Sequence, residues 1–459
     1  MAETDDFDAR TAQFVTWLKT AGVSVSNKIE IDDHRSRRAG RAVLATADIS
    51  TDEELFSISR SSILTAQTSD LPAEAKKLDD PWMALILAMI YEYQRGTDSR
   101  WKPYLDVLPA EFDTLMYWSE QDLTYLEGSA VVGKIGKSSA DKAFRDQILP
   151  MIRQYPEIVG NQSPTDDEIL ALSHRMGSII MAYAFDLEST SNSANEQDGW
   201  EEDSEEGGGE ILPKGMVPLA DMLNADANRN NAKLFYENDK VVMKAISDVK
   251  VGEELFNDYG PLPTADVLRR YGYVTENYAK YDVVELSLEL IKIVAMQQLR
   301  MQDEVFEART AYLGDCGILD DGYDVSRQRN EDGQFSDDLR ALLNALAMSK
   351  DDFDKLREKE KLPKPELSQQ SWELLYAILV RRRSLYPSHT QTDNTNGTSL
   401  VNVRRRDMAR QVIDGEKQVL KEAAETIQQR LNEGNKRKAD TFEEEAEALR
   451  TSSKGGRTA

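Results

Sequence analysis

The chain has few of the residues that metal and disulfide chemistry require. One cysteine, Cys316, and three histidines, His34, His174 and His389, stand among 459 residues. Neither a disulfide framework nor a cysteine-rich zinc cluster can be built from them, and no metal site is expected. Such cysteine usage fits a reducing compartment, and the nucleus, with the cytoplasm beside it, is the expected location. Bases are scarce too: 56 Lys and Arg face 82 Asp and Glu, a formal charge of −26. Broad nucleic-acid binding needs a net basic face, so no direct nucleic-acid contact is expected and a basic protein is the better partner. Long apolar runs are also missing. The longest, Met83 to Tyr91, is about half a membrane span, and the start MAETDDFDAR lacks the basic and apolar regions of a signal peptide. A soluble monomer without membrane contact is expected.

Glycine and proline are sparse, at 25 and 14, which leaves long stretches free to be helical. The length allows about three domains. Three segments are too polar to contribute to a core. The loop Ser189 to Glu210 holds eight acids and no base, Ser384 to Ser399 reads as a linker, and the tail 432–459 is expected to be disordered.

An internal similarity is more telling. Ala45 to Phe56 reads ATADISTDEELF and Ala245 to Phe256 reads AISDVKVGEELF, so Ala, Asp, Glu, Glu, Leu and Phe recur at an offset of 200. Each copy follows a β-prone run, Ala42 to Leu44 or Val241 to Met243, and Asp52 or Gly252 supplies a turn before the next run. Leu234 to Tyr236 precedes the second copy, with Asn238-Asp239 as a hairpin turn. Two β units far apart in sequence are expected to frame one small sheet-rich core. Between them, WMALILAMIYEY from Trp82 predicts a buried helix and Asp166 to Leu187 predicts another. After Tyr281 the apolar stripe of Val284, Leu288, Ile291, Ala295 and Leu299, followed by that of Leu420, Ala423, Ile427 and Leu431, predicts an all-α region.

Several chemistries can be set aside. No G-x-G-x-x-G and no G-x-S-x-G is present. The segment Gly128 to Lys134, GSAVVGK, has the spacing of a phosphate loop, yet Ile135 stands where a Ser or Thr would bind magnesium. Cys316 has no neighbouring base and reads as a small, semi-buried thiol. The segment Met216 to Tyr273 is denser, with Tyr236, Tyr259, Tyr271 and Tyr273 near an Asp-Met-Leu-Asn run at Asp221 to Asn224. Taken alone, these residues fit a hydrogen-bonded core as well as a site.

Five segments in order change that balance: RRAGRAVLATADI (Arg37 to Ile49), SRWKPYLDVLP (Ser99 to Pro109), MAYAFDLE (Met181 to Glu188), PLADMLNADANRNNA (Pro218 to Ala232) and GEELFNDYG (Gly252 to Gly260). The sequence resembles the SET-domain lysine methyltransferases of the Rubisco large-subunit methyltransferase class over about residues 10 to 430, nearest the branch that acts on ribosomal proteins. The resemblance implies an α+β fold. Its SET-domain core of small β-sheets would carry a pseudoknot-like threaded C-terminal segment over 10–275. A helical insertion at about 60–212 and an all-α substrate-binding domain over 281–431 complete it. The implied activity is transfer of a methyl group from S-adenosyl-L-methionine to a lysine of a basic protein, a ribosomal one by branch. A histone or transcription factor as substrate, or a non-catalytic SET-like binding module, is the alternative.

The resemblance also assigns residues. Ala39, Gly40 and Arg41 meet the methionine end of the cofactor, and Asn224 and Ala225 its adenine. Ala182, Tyr183 and Asp221 line the methyl and lysine site, while Phe185, Tyr271 and Tyr273 wall the lysine channel. Tyr259 matches the catalytic tyrosine of the terminal motif, where it orients the methyl group; a tyrosine of ordinary pKa near 10 is a poor base at neutral pH, so the proton is expected to leave through water. Two positions depart from the pattern: Ala225 stands where His is usual and Ala42 where a second Gly is usual.

Overall fold

A computed structural model of the chain describes residues 6–37, 39–160, 163–187, 212–330, 333–387, 400–432 and 445–450. The acidic loop expected at 189–210, the linker beyond 387 and most of the tail beyond 432 lie outside the described residues. Those described form two compact units, drawn from Met1–Met116 with Gly136–Pro261 and from Tyr117–Ile135 with Leu262–Ala459.

The first unit carries strands β1 (Ser24–Val25), β2 (Ile29–Asp33), β3 (Arg41–Ala45), β4 (Glu54–Ser59), β5 (Ala184–Asp186), β6 (Lys214–Met216), β7 (Asn224–Ala225), β8 (Ala232–Tyr236), β9 (Lys240–Ala245) and β10 (Phe256–Asn257). They make a four-stranded antiparallel sheet in the order β1-β4-β9-β8 and three two-stranded ones, β2-β3, β5-β6 and β10-β7. Among the described residues, only β10 and β7 run parallel.

The repeat organises this core. Ile49 and Val249 exchange both backbone hydrogen bonds, at 2.9 and 3.0 Å. The Ala45 amide donates to the Glu253 carbonyl (2.9 Å) and the Ala245 amide to that of Glu53 (3.0 Å); Gly252 donates to Ala45 (2.7 Å) and Asp52 to Ala245 (2.8 Å). Each of these bonds is answered by its image at an offset of 200, so the two copies pair about a local two-fold axis. Both turn residues take the left-handed conformation, Asp52 at φ 66° and Gly252 at φ 84°. Asp is among the few non-glycine residues that tolerate it.

Two helices pack behind the sheets. Pro81–Gln94 opens with Asp80 accepting from the Trp82 and Met83 amides, has proline in its first turn, and buries every residue from Met83 to Ile90. Asp166–Tyr183 opens with a capping box between Thr165 and Glu168. It ends at Tyr183 rather than running through Leu187, because Ala184–Asp186 pairs with Lys214–Met216 instead. Cross-strand pairing here overrides a helical pattern that local sequence favours. The N-terminal helix Phe7–Thr20 buries Phe14 and Leu18; Trp17 stacks on Tyr104 with ring centroids 6.2 Å apart, and the Phe14 ring lies tilted against it at 6.0 Å.

The second unit is mostly helical, with helices Leu288–Gln298, Asp303–Asp315, Asp337–Ala347, Lys350–Glu358, Gln369–Arg383 and Leu400–Asn432 among others. The expected all-α region needs one correction. It also holds an antiparallel sheet of β11 (Val283–Ser287), β12 (Gly322–Asn330) and β13 (Gly333–Phe335). Val284 and Leu286 are buried and alternate with half-buried neighbours, a period of two that the stripe beginning at Val284 conceals. The helix starts at Leu288, after Ser287 accepts from the Leu290 amide.

Residues 117–135, expected within the insertion, belong to this second unit. There the Gly128 carbonyl accepts from Arg382 (2.7 Å), and Glu416 accepts from Ser129 (2.5 Å) and Tyr386 (2.6 Å). Lys134 pairs with Glu285 at 3.0 Å. A Cβ on Gly128, at φ 92°, would lie 2.9 Å from the Leu385 carbonyl oxygen. The GSAVVGK segment is thus a packed structural turn and not a phosphate loop. Two further expectations fail. Cys316 is exposed rather than semi-buried, and residues 445–450 of the tail are helical, with Ala446 only 2% exposed within the second core.

Candidate functional site

The turn that leads into β3 is closed by its own backbone. The His34 amide donates to the Gly40 carbonyl (2.8 Å) and the Ala39 amide to that of His34 (3.1 Å). Gly40 sits at φ 68°, and no atom lies within 4 Å of where a Cβ would project. Ala39 is exposed and Gly40 half-buried, so this stretch presents open backbone. The Arg41 guanidinium faces the protein instead: it donates to Thr11 Oγ1 (2.9 Å), the Val107 carbonyl (3.0 Å) and the Phe7 carbonyl (3.3 Å), and lies 3.9 Å from the Phe7 ring centroid. Of Arg41, only the backbone is left for a ligand.

The second motif is tied to the first. Asn224 Nδ2 donates to Glu254 Oε1 (2.7 Å) and, more weakly, to the Arg41 carbonyl (3.4 Å). Glu254 also faces His34 Nδ1 at 3.5 Å. The backbone of Asn224 and Ala225 pairs in parallel with Phe256 and Asn257. This is the threaded segment, and Asn231 clamps it: its Oδ1 accepts from the Phe256 amide (2.8 Å), its Nδ2 donates to the Glu254 carbonyl (2.9 Å), and its own amide donates to the Phe256 carbonyl (3.1 Å). Replacing Asn231 with Ala removes two side-chain hydrogen bonds to this strand and is expected to destabilise the protein by about 2 kcal/mol. Urea denaturation would show this as a lowered midpoint at unchanged slope.

Tyr259 follows two residues after β10 and is half-buried. The chain around it is bent by Asp258, whose Oδ1 accepts from the Gly260 amide (2.9 Å), and by Gly260 at φ 76°. An Asx turn on a left-handed glycine fixes where the tyrosine leaves the strand.

A third group collects around Asp221. Residues 219–222 make a tight turn in which Leu219, 1% exposed, holds a positive φ of 75°, a strain that only firm packing maintains. Tyr104 Oη donates to Asp221 Oδ2, while Asp221 Oδ1 is buried and makes no hydrogen bond. Burial pushes the Asp221 carboxyl up to about 7, against the Tyr104 hydroxyl and the amides of Asp221 and Leu219, which favour the ionised form. Burial, with the Asp221 charge added, raises Tyr183 to about 12 and Tyr104 well above its ordinary value. Ala182 and Tyr183 end the helix beside this turn, and Phe185 follows on β5.

The structure thus joins Gly40, Arg41, Asn224 and Ala225 in one network, and Tyr183 with Asp221 in another. Tyr271 and Tyr273 belong to the second unit, their rings 6.3 Å apart on either side of the left-handed Gly272 that ends helix Thr264–Tyr271. Sequence reasoning missed Tyr104, Glu254 and Asn231 as site residues. All three lie inside the quoted motifs, but nothing local distinguishes them from core residues. Open backbone at Ala39 and Gly40, an edge at Asn224 and Ala225, and half-buried aromatic rings suit S-adenosyl-L-methionine, whose sulfonium is favoured by ring faces. Among the described residues, no group of three or more His, Cys, Asp or Glu could hold a metal, and no helix is long and apolar enough to cross a membrane.

Comparison with known proteins supplies the context. The SET domain family matches residues 40–260, and the Rubisco LSMT substrate-binding family matches residues 300–420. Ribosomal lysine N-methyltransferase 4 of Saccharomyces cerevisiae is 39% identical over 325 residues, 68% of this chain; the chain spans 63% of that protein's length. The protein of the same name from Schizosaccharomyces pombe is 25% identical, covering 90% of this chain and 95% of its own. N-lysine methyltransferase setd6 of Xenopus laevis is 27% identical over 76% of each chain. Among solved structures, the SET domain of LSMT bound to lysine and AdoHcy superposes with a TM-score of 0.66 at 18% identity, covering 94% of both chains. Rubisco LSMT bound to AdoMet gives the same score over 98% of this chain and 97% of its own.

Proposed function

Because the chain belongs to the SET-domain family of protein-lysine N-methyltransferases that carry a Rubisco LSMT substrate-binding region, we propose that it methylates a lysine of a large-subunit ribosomal protein. The observation that carries the reading is the threaded strand. β10 runs parallel to β7 under the Asn231 clamp, which unites Asn224, Glu254 and the segment ending in Tyr259 with the Gly40 turn. Similarity to ribosomal lysine N-methyltransferase 4 from two yeasts supports the ribosomal substrate.

S-adenosyl-L-methionine supplies an electrophilic methyl group on sulfonium. The chain supplies the rest. Backbone groups of Ala39, Gly40 and Arg41 would hold the cofactor's amino-acid end, and those of Asn224 and Ala225 its adenine. A target lysine has an ordinary pKa of about 10.4, so its neutral form costs roughly 4 to 5 kcal/mol at pH 7. A dry channel would offset part of this, because desolvation disfavours the ammonium; Phe185 and Tyr183 are the residues of the first unit that would contribute to it. Tyr259, whose hydroxyl can accept weak C–H···O contacts, would orient the methyl group for transfer. The presence of Tyr259, Asn224 and a half-buried Asp221 weighs against a non-catalytic binding module.

The test is mass spectrometry of large-subunit ribosomal proteins from cells with and without this protein. A methyl-lysine peptide should disappear in its absence and return on adding the purified chain with cofactor. Identical methylation in both would overturn the ribosomal substrate.

A further inference from the structure

Half-buried Asp221 and fully buried Tyr104 form a polar pair in the first unit, and the motifs that carry the resemblance assign Tyr104 no role. Tyr104 is 0% exposed. Its ring is held between the N-terminal helix, through Phe14 and Trp17, and its own helix Lys102–Leu105. Trp17 is fixed in turn by donating to the Arg100 carbonyl at 2.7 Å. Phe7–Thr20 precedes the residues that match the SET domain, yet it braces this hydroxyl. The hydroxyl reaches one carboxyl oxygen, Oδ2, and leaves buried Oδ1 with no side-chain donor; the backbone amides of Asp221 and Leu219 are the other groups that favour the ionised carboxyl. A buried acceptor without a donor is costly unless something arrives to meet it.

We propose that Asp221 accepts the proton of the incoming lysine ammonium on Oδ1, and that Tyr104 is the positioning residue that occupies Oδ2 and keeps Oδ1 open. The inference rests on the lysine-methyltransferase reading. An ammonium beside a carboxylate in a dry site leaves two desolvated charges, each costing several kcal/mol. Moving one proton from lysine Nζ to Oδ1 removes both charges and frees the amine lone pair. That pair then forms the N–C bond as the S–C bond breaks, the sulfur keeps the bonding electrons, and the product is a methylammonium. The proton on Asp221 passes to solvent when the product leaves, so one proton is released per methyl transferred.

The groups around Asp221 allow this. Tyr104 and Tyr183 are held neutral by burial. Arg41, on the strand packed beside the turn, directs its guanidinium to Thr11, Phe7 and Val107. Among the described residues, none of the causes acting on the Asp221 carboxyl is a cation. It therefore titrates in a range where it can take a proton and return it.

The experiment uses the full chain, with large-subunit ribosomal proteins from cells lacking it as methyl acceptor. Initial rates are followed as kcat/KM against pH for wild type, Tyr104→Phe, Asp221→Asn and the double variant. Loss of a hydrogen bond to the carboxylate raises its pKa, so Tyr104→Phe should move the acid limb up by about one unit. Activity then falls about five- to ten-fold at pH 7 and stays within about two-fold at pH 9.5. Asp221→Asn should abolish that limb, leaving a rate that climbs with pH as the free amine does. In the Asp221→Asn background, Tyr104→Phe should change the rate by less than about two-fold, since its effect runs through the carboxylate. An unmoved acid limb, or an equal loss at every pH and in both backgrounds, overturns the proposal while leaving the enzymatic reading intact. Absence of cofactor binding in calorimetry and of methyl transfer in the wild-type chain overturns both.

Discussion

Replacing Tyr259 with Phe is expected to lower methyl transfer about 100-fold while the affinity for S-adenosyl-L-methionine stays within about three-fold. The substitution keeps ring and volume, so the packing around the Asp258–Gly260 turn survives. It removes only the hydroxyl. If that group aligns methyl, amine and sulfur, its loss acts on the transition state more than on the ground state and appears in kcat rather than in binding. Single-turnover transfer of a labelled methyl group, with calorimetry of cofactor binding on the same preparations, separates the two. Unchanged turnover would sink the role assigned to Tyr259.

Asp221→Asn is expected to stabilise the fold by up to about 4 kcal/mol at pH 8 relative to pH 4. The Asp221 carboxyl stands at about 7 in the folded chain, raised by burial from an ordinary 3.8. Because the folded-state value lies above the unfolded one, the neutral carboxyl's contribution is complete below about pH 4. It is lost progressively as pH rises through 7. Asparagine cannot ionise, and its carbonyl can still accept from Tyr104. The difference between variant and wild type in urea denaturation should therefore grow from pH 4 to pH 8 and then level off, with the other groups cancelling. A difference independent of pH would mean that Asp221 ionises as an exposed carboxylate does.

Much of the fold was legible because its signals are local. Asp52 and Gly252 read as turns and take positive φ; the run from Trp82 reads as a buried helix, and helix Pro81–Gln94 buries Met83 to Ile90. The misreadings share a cause. Val284 sits on an apolar spacing compatible with a helix, and Ala184–Asp186 continues one, yet both segments are strands because partners distant in sequence pair with them. Periodicity reports which face is apolar, not which neighbour arrives to pair.

The site divides along the same line. Tyr259, Asn224, Gly40 and Asp221 enter the candidate site through the resemblance, which rests on five motifs in order. The roles of Asn231, Glu254 and Tyr104 do not come from it. The Tyr104 hydroxyl meets Asp221 across 117 residues of sequence, and Asn231 binds a strand 25 residues later. The β repeat, the sparse cysteine and histidine, and the order of the motifs can be read along the chain. That the two repeats pair about a local two-fold axis, that residues 117–135 join the second unit, and that the Tyr104 hydroxyl reaches one oxygen of Asp221 emerge only on folding. The reason is physical: hydrogen-bond partners and desolvation depend on which distant surfaces are brought together, and no local pattern encodes that.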